Sequence, residues 1–222
     1  MSVLAIMSAR GFPVSAAFCG LLLLGGCAEG LNGPTLIAPD NPPDLISQGK
    51  PVTSNTRFYD RDSGPFGFGE TFPVSNVVDG HGGDTRKPEG GWSFWLTGDG
   101  ITDSEVTIDL GDNFELSRII LQDTHNRHYL DRGTRDFVIS TATNAEGPFR
   151  KVAEDSFTKD EWKNLILKSV NVGGYGHPVI ARYVRVHALN SWGDGGWWGE
   201  GSVGLNEIMV FGSLAPGGRT GG

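Results

Sequence analysis

Cysteine is scarce in this chain. Its 222 residues include two cysteines, Cys19 and Cys27, and both stand before residue 28. A domain further along the chain therefore contains no disulfide, and its hydrophobic core alone must stabilise it. Residues 51–212 suffice for this, because a domain of about 150 residues buries roughly 70% of its unfolded surface. We expect one such domain.

Basic residues are also few. The chain has 18 Lys and Arg against 26 Asp and Glu, which gives a formal net charge of -8. The phosphate backbone of a nucleic acid would repel such a protein, and no basic stripe offsets the repulsion. We expect no nucleic-acid partner.

Short catalytic motifs are missing as well. The chain has no Gly-x-Ser-x-Gly nucleophile elbow, no His-Glu-x-x-His zinc motif and no phosphate-binding loop. Carboxylate pairs such as Asp131 with Asp136, or Asp194 with Glu200, would serve a glycosidase only at separations of about 5 Å or about 6.5 to 9.5 Å. These absences favour a binding protein over an enzyme.

No hydrophobic run is long enough to cross a bilayer comfortably. The first 26 residues contain one charged residue, Arg10, and an apolar stretch that includes Leu21–Leu24 and ends in two glycines. A basic residue followed by a short apolar stretch and small residues is typical of a secretory signal peptide. We therefore assign residues 1–26 to an export signal and exclude them from the fold.

The end of this segment, Leu24-Gly25-Gly26-Cys27, resembles the lipobox of bacterial lipoproteins. The resemblance implies cleavage before Cys27, lipidation of Cys27 and attachment to a membrane by that lipid alone. Ala28 stands where an aspartate commonly retains such proteins in the inner membrane, so the outer membrane is favoured if the cell is Gram-negative. The alternative is ordinary cleavage after Gly26 or Ala28, with Cys27 unmodified.

Two segments of low apolar content flank the predicted domain. Residues 27–50 carry four prolines and few large apolar side chains, and residues 213–222 carry four glycines and one proline. Such composition does not offset its ordering entropy by burial. We predict a flexible tether over 27–50 and a disordered tail over 213–222.

Alternating apolar and polar residues predict strands through the middle of the chain. Val106, Ile108 and Leu110 follow the period of a half-buried strand over about 104–110, which Gly111-Asp112-Asn113 ends with a turn. Further strands are predicted over 116–122, 136–141, 149–152, 165–172, 181–188 and 205–211, and only 159–164 looks helical. Many short strands without long helices indicate a β-sandwich or jelly roll.

Five segments occur in the order of a known family. They are Ser75–Gly80, Val106–Gly111, Arg135–Ser140, Ala181–Val186 and Leu205–Gly212. Their succession resembles the coagulation factor V/VIII type C domain, also called the discoidin domain, a group that includes the family 32 carbohydrate-binding modules. The resemblance implies an all-β, discoidin-like (galactose-binding-like) jelly-roll β-sandwich of about eight strands. It also implies ligand binding through loops at one end.

The two outermost segments predict a structural calcium site. Asp79 and Glu207 each stand beside a turn residue, so their carboxylates could meet if the ends of the domain lie together. Calcium binds six to eight oxygens, and a glycine-rich turn such as 79–85 lets carbonyls point inward. The alternative for Asp79 is an ordinary turn cap. The resemblance implies the following ligands: the carbonyls of Asn76, His81 and Asn206, the carboxylates of Asp79 and Glu207, and a side-chain oxygen of Asp84 or Thr85.

Two loops are candidates for ligand binding. Loop 191–201 carries Trp192, Trp197 and Trp198 among five glycines, and exposed indoles stack well on the apolar face of a pyranose. The second loop supplies planar donors that can grip vicinal hydroxyls, namely His125, Arg127, His128 and Arg132. The alternatives are tryptophan rings that plug the end of the barrel and a solvated charged turn. Asp136 stands where many sugar binders have asparagine, a departure from the galactose-binding pattern.

Together these features predict an exported, lipid-anchored protein whose calcium-stabilised jelly roll binds a glycan or glycoconjugate without catalysis. A second hypothesis is a cell-surface adhesion or envelope-assembly module that binds a protein or polymer surface. A third is a small hydrolase on the same scaffold.

Overall fold

Strands form almost all of the regular structure in the computed structural model, which describes residues 43–60, 70–173, 177–193 and 201–217. Within these ranges the strands are β1 (Asp44–Leu45), β2 (Val52–Ser54), β3 (Trp95–Leu96), β4 (Ser104–Gln122), β5 (Asp136–Ala142), β6 (Arg150–Ser156), β7 (Leu167–Asn171), β8 (Val179–Ala188), β9 (Gly204–Leu205) and β10 (Glu207–Leu214). The helices there are α1 (Lys159–Lys163) and two 3-10 helices, Val74–Val78 and Arg127–Tyr129. None of them is long and apolar enough to span a membrane.

Strand β4 belongs to both layers of a β-sandwich. The main sheet has eight strands in the order β1-β10-β4-β8-β5-β6, with β2 and β7 also paired to β4, while β3 and β9 form a separate pair. The first half of β4, Ser104–Asp109, pairs antiparallel with β2 and β8. Its second half, Phe114–Gln122, pairs antiparallel with β10 and, further along, with β7. The predicted all-β jelly roll is confirmed, and the main sheet has the expected number of strands.

The predicted turn at Gly111-Asp112-Asn113 is wrong. The strand continues through these residues, and its register with β8 shifts between Asp109 and Phe114 instead. Gly111 has a φ of +91°, a left-handed conformation that glycine adopts without the steric cost of a Cβ. The irregularity therefore shifts the register without ending the strand, and β4 pairs with β8 on both sides of it.

The core lies between the two layers. Val106, Ile108 and Leu110 are buried as their alternation predicts, and Ile119 and Leu121 bury the second half of β4. Trp95 is fully buried in the same cluster. Inward-facing apolar side chains from both halves of one strand thus contribute to a single core.

Helix α1 supports the loop that follows β4. Thr158 and Glu161 form a reciprocal capping box at its start, which satisfies two backbone donors that the first turn leaves free. The helix buries Trp162, whose Nε1 donates to the carbonyls of Thr124 at 2.9 Å and Arg132 at 3.2 Å. These two carbonyls flank loop 125–131, so the indole holds both ends of that loop together.

The two ends of the domain lie side by side. β1 pairs with β10, with Asp44 opposite Gly212. The Ser47 hydroxyl donates to the carbonyl of Ile208 at 3.0 Å and accepts from the backbone N–H of Val210 at 2.9 Å. The condition for a meeting of Asp79 and Glu207 is therefore fulfilled by the fold.

Asp136, the residue that departs from the galactose-binding pattern, has a local structural task. Its carboxylate accepts hydrogen bonds from Asn190 at 2.7 Å, Arg135 at 3.0 Å and Ser156 at 2.8 Å. The Asn190 bond, followed by those from Arg135 and Ser156, lowers the pKa of Asp136 to about 2. The charged carboxylate ties the start of β5 to the end of β6 and to the residues after β8.

Candidate functional site

The two predicted metal segments meet at one end of the sandwich. Asp79 is the C-cap of the first 3-10 helix, in which Asn76, Val77 and Val78 are buried. Glu207 begins β10, and its Oε1 accepts a hydrogen bond from the backbone N–H of Gly80 at 2.8 Å. Because Val77 and Val78 pack into the core, the turn after them is held against the first residue of the last strand.

Asp79 and Glu207 face each other directly. Burial, together with a hydrogen bond to the Asp79 carboxyl and its negative charge, raises the pKa of Glu207 to about 8. Asp79 Oδ1 also accepts from the backbone N–H of His81 at 2.9 Å. Two acids in such contact favour either a shared proton or a cation.

A lysine side chain supplies positive charge at this place. Lys87 Nζ donates to Asp79 Oδ2 at 3.1 Å and to Asn76 Oδ1 at 3.0 Å. The Asn76 amide nitrogen in turn donates to the carbonyls of Trp92 and Phe94 at 2.9 and 2.8 Å. One carboxylate oxygen of the predicted metal ligand Asp79 is thus already bonded to a cation, which also binds the side-chain oxygen of Asn76.

The donor set at this end suits a hard cation. Asp79 and Glu207 supply carboxylate oxygens, and the turn from Gly80 to Gly83 has left-handed φ values at both of these glycines. Calcium prefers oxygen-only sites of this kind, in which carbonyls and a few carboxylates combine. Among the described residues, no group of three or more His, Cys, Asp and Glu side chains converges on one point, so carbonyls would have to complete the site. His81 and Thr85 are exposed at its rim.

Asp84, one of the two alternative metal ligands, is committed elsewhere. Its buried carboxylate accepts from the backbone N–H of Arg127 at 2.8 Å, that of His125 at 3.1 Å and the Asn206 amide at 3.0 Å. These three donors leave Thr85 as the remaining candidate for the late loop ligand. Asp84 instead connects the predicted metal end to the histidine and arginine loop, a link that spacing in the sequence did not indicate.

The loop from His125 to Arg132 has a strained backbone. Asn126, Arg127 and Leu130 have φ values of 57°, 63° and 51°, a left-handed region that costs a residue with a side chain roughly 1 kcal/mol or more. Asp84 holds the first residues of the loop, and the Trp162 indole holds both of its ends. As a result His128, Tyr129 and Leu130 face solvent.

Aromatic rings and guanidinium groups gather beside this loop. The Arg127 guanidinium carbon lies 4.2 Å from the Trp92 ring centroid and 4.8 Å from that of Tyr129, and its Nη1 pairs with Glu70 at 3.2 Å. Arg86 lies 5.1 Å from the centre of the same Trp92 ring. Such cation–π contacts fix the arginine planes. Sequence reasoning missed Trp92 and Tyr129, although Tyr129 stands inside the polar cluster that it singled out.

Two residues predicted to bind ligand are packed into the domain instead. Arg132 is 4% exposed, lies over the ring of Tyr59 at 4.3 Å and forms an ion pair with Asp99 at 2.7 Å. Its burial contradicts the prediction of a ligand contact. Trp192 donates from Nε1 to the carbonyl of Phe157 at 2.6 Å and stacks on Trp162 at 6.5 Å.

The half-buried Trp192 therefore extends the core, as the alternative reading of the tryptophan loop expects. Trp197, Trp198 and Cys27 lie outside the described residues. His125 remains at the base of the loop, with its ring nitrogen Nδ1 3.3 Å from Asp84 Oδ2.

The architecture defines a jelly-roll domain. The model of the F5/8 type C domain matches residues 54–202, and the chain belongs to this family. No curated protein sequence matches the chain.

Solved structures with a similar fold include family 32 carbohydrate-binding modules. The module of C. perfringens NanJ, in complex with galactose, is 17% identical with a TM-score of 0.52, over 76% of this chain and 98% of that one. A module of a family 31 glycoside hydrolase from Clostridium perfringens is 17% identical with a TM-score of 0.55, over 77% and 95%. The lectin domain of lectinolysin, complexed with Lewis B antigen, is 18% identical with a TM-score of 0.51, over 77% and 98%.

Replacement of Asp84 should loosen the loop and destabilise the domain. Asp84→Ala leaves three N–H donors without their charged acceptor, and we expect the free energy of unfolding to fall by about 2 to 4 kcal/mol. Glu146→Ala, which removes an exposed carboxylate from another loop, should change it by less than about 0.5 kcal/mol. Urea denaturation measures both values, and an Asp84→Ala variant as stable as Glu146→Ala would contradict the role of Asp84.

Proposed function

We propose that the domain binds a glycan through the tip of the His125–Arg132 loop. The observation that carries this proposal is the ring of Tyr129, which is 53% exposed and packs on His128 with ring centroids 4.0 Å apart. Arg127 supports the Tyr129 ring from the side of Trp92. The loop thus presents an aromatic platform with polar groups beside it.

A sugar ring matches this surface chemically. Its C–H face packs on an aromatic ring, and its hydroxyls accept and donate hydrogen bonds at the rim of the contact. The histidine and arginine side chains are planar donors at that rim. Because Arg127 is held by Glu70 and Trp92, little conformational entropy is lost when a ligand arrives.

Several relatives support a sugar as the ligand. The similar structures described above contain galactose and Lewis B antigen, and a further family 32 module from Clostridium perfringens was solved with GalNAc-β-1,3-galactose. We propose recognition without chemistry, since stacking and hydrogen bonding account for the residues at the loop tip.

Loss of the Tyr129 ring should abolish glycan retention. On a glycan array, followed by titration of the best ligand, Tyr129→Ala should weaken affinity about tenfold or more, the loss typical of a central contact. Ile180→Ala truncates an apolar side chain on β8 that is 44% exposed. This variant should bind the glycan as the unchanged protein does. Loss of binding only in Trp197→Ala and Trp198→Ala would move the site to the tryptophan loop, and no binding to any glycan would contradict the proposal itself.

We propose that a calcium ion stabilises the end where Asp79 and Glu207 meet. The contact of two carboxylates, with the raised pKa of Glu207, supports a site in which a divalent ion would relieve their repulsion. The two carboxylates would hold the ion, and nearby carbonyls with Thr85 would complete its oxygen shell. Bound there, it would join the turn after the first 3-10 helix to β10 and would take no part in chemistry.

Removal of calcium should lower the melting temperature. In protein shown by metal analysis to contain calcium, excess chelator should reduce the melting temperature by several degrees, because the ion would no longer join the turn after the first 3-10 helix to β10. Glu207→Gln should bind calcium weakly and melt at the same temperature with and without chelator, whereas Glu115→Gln, an exposed change on β4, should keep the full response. An unchanged melting temperature in the parent protein would rule out a stabilising calcium.

We also propose that Cys27 carries a lipid that holds the protein on a membrane. The support is the lipobox-like Leu24-Gly25-Gly26-Cys27 at the end of a signal-like segment. One acyl chain gives only marginal membrane binding, and the several chains of a bacterial lipoprotein anchor would make the attachment stable.

Substitution of Cys27 should release the protein. In cells fed a labelled fatty acid, Cys27→Ser should lose the label and move from the membrane fraction to the soluble exported fraction. Cys19→Ser should remain labelled, because Cys19 lies within the segment that cleavage removes. Equal labelling of Cys27→Ser and the parent would exclude this anchor.

A further inference from the structure

Lys87 binds a carboxylate oxygen that the proposed calcium site needs. Its ammonium lies 3.1 Å from Asp79 Oδ2 and 3.0 Å from Asn76 Oδ1, and its side chain is only 16% exposed. Glu89, at 3.9 Å, is 63% exposed and adds little. The lysine therefore belongs to the inner face of the turn and not to its solvated surface.

The side chain of Asn76, one of the two acceptors of Lys87, is fixed in orientation. Asn76 is fully buried, and its amide nitrogen donates to the carbonyls of Trp92 and Phe94. The amide cannot rotate without breaking both bonds, so its Oδ1 must point at Lys87. The oxygen pair that receives the ammonium is consequently preorganised.

The backbone of Lys87 is fixed as well. Its N–H donates to Gly91 O at 3.2 Å, its carbonyl accepts from Gly90 N–H at 3.0 Å, and the preceding Arg86 forms a β-bridge with Trp92. This hairpin holds the ammonium near Asp79 at a high effective concentration, as a short tether does.

The charges at this end do not balance with Lys87 alone. The lysine neutralises Asp79, whereas the Glu207 carboxylate accepts a hydrogen bond from the neutral backbone N–H of Gly80 at 2.8 Å. Glu207 also lines a surface cavity of about 330 Å³ together with Gly80, Gly82 and Gln122. An ion from solvent can reach Glu207 there, but an ion that also binds Asp79 meets the like charge of the ammonium.

We propose that Lys87 is a built-in competitor of calcium, which neutralises Asp79 in the calcium-free protein and must leave Asp79 when calcium binds. This inference rests on the calcium site proposed above. It implies that the ends of the domain stay joined without calcium. It also implies that the protein binds calcium more weakly than the same oxygens would without the lysine.

Calcium titration of Lys87 variants that keep or lose the positive charge tests the competition. Calorimetric titration of the full-length protein with calcium chloride should show that Lys87→Met binds calcium about tenfold or more tightly than the parent, within the usual range of such couplings. Lys87→Arg, which keeps the charge, and Lys151→Met, which removes an exposed lysine on β6, should bind as the parent does. Lys87→Gln serves as the uncharged variant if Lys87→Met does not fold.

A second measurement separates this inference from the calcium site itself. In chelator, Lys87→Met should melt at a lower temperature than the parent, and added calcium should restore it. Equal calcium affinities of the parent and Lys87→Met would overturn the competition and leave the calcium site in place. Absence of calcium binding in both proteins would overturn the calcium site and, with it, the competition.

Discussion

The antiparallel ladder between β4 and β10 determines where both candidate sites lie. Its last pair joins Gln122 to Glu207, and the backbone N–H of Asn206 donates to the carbonyl of Gln122 at 2.8 Å. The His125–Arg132 loop therefore leaves β4 at the same place where the acid of the proposed calcium site enters β10. A slip of one residue in this register would turn Glu207 to the other face and separate the two sites.

Asp84 connects these two regions through hydrogen bonds. It stands in the same turn as Asp79 and Lys87, yet its carboxylate holds the backbone of His125 and Arg127. The left-handed residues of the His125–Arg132 loop persist because these bonds and the Trp162 indole oppose their relaxation. The conformation of this loop thus depends on the turn that contains Asp79.

The sequence predicts the strands well where one face is buried, and the sites less well. The alternation of Val106, Ile108 and Leu110 identifies a strand because its period is local, whereas the continuation through Gly111 depends on pairing with strands distant in the chain. The burial of Arg132 likewise depends on Asp99 and Tyr59, which no spacing rule connects to it. The order of the segments does indicate that Asp79 and Glu207 meet, because it places both at the ends of one domain, whereas calcium binding there stays a prediction.

Strand β6 ends the main sheet with a charged outer row. Lys151 and Glu154 on it form an exposed ion pair at 2.8 Å, and most of its side chains face solvent. A second sheet that approached this edge would have to strip water from these charges before it gained backbone hydrogen bonds. At the other end of the sheet β1 offers only two residues. Copies of the domain that crowd together would therefore not extend one another's sheets through β6 or β1.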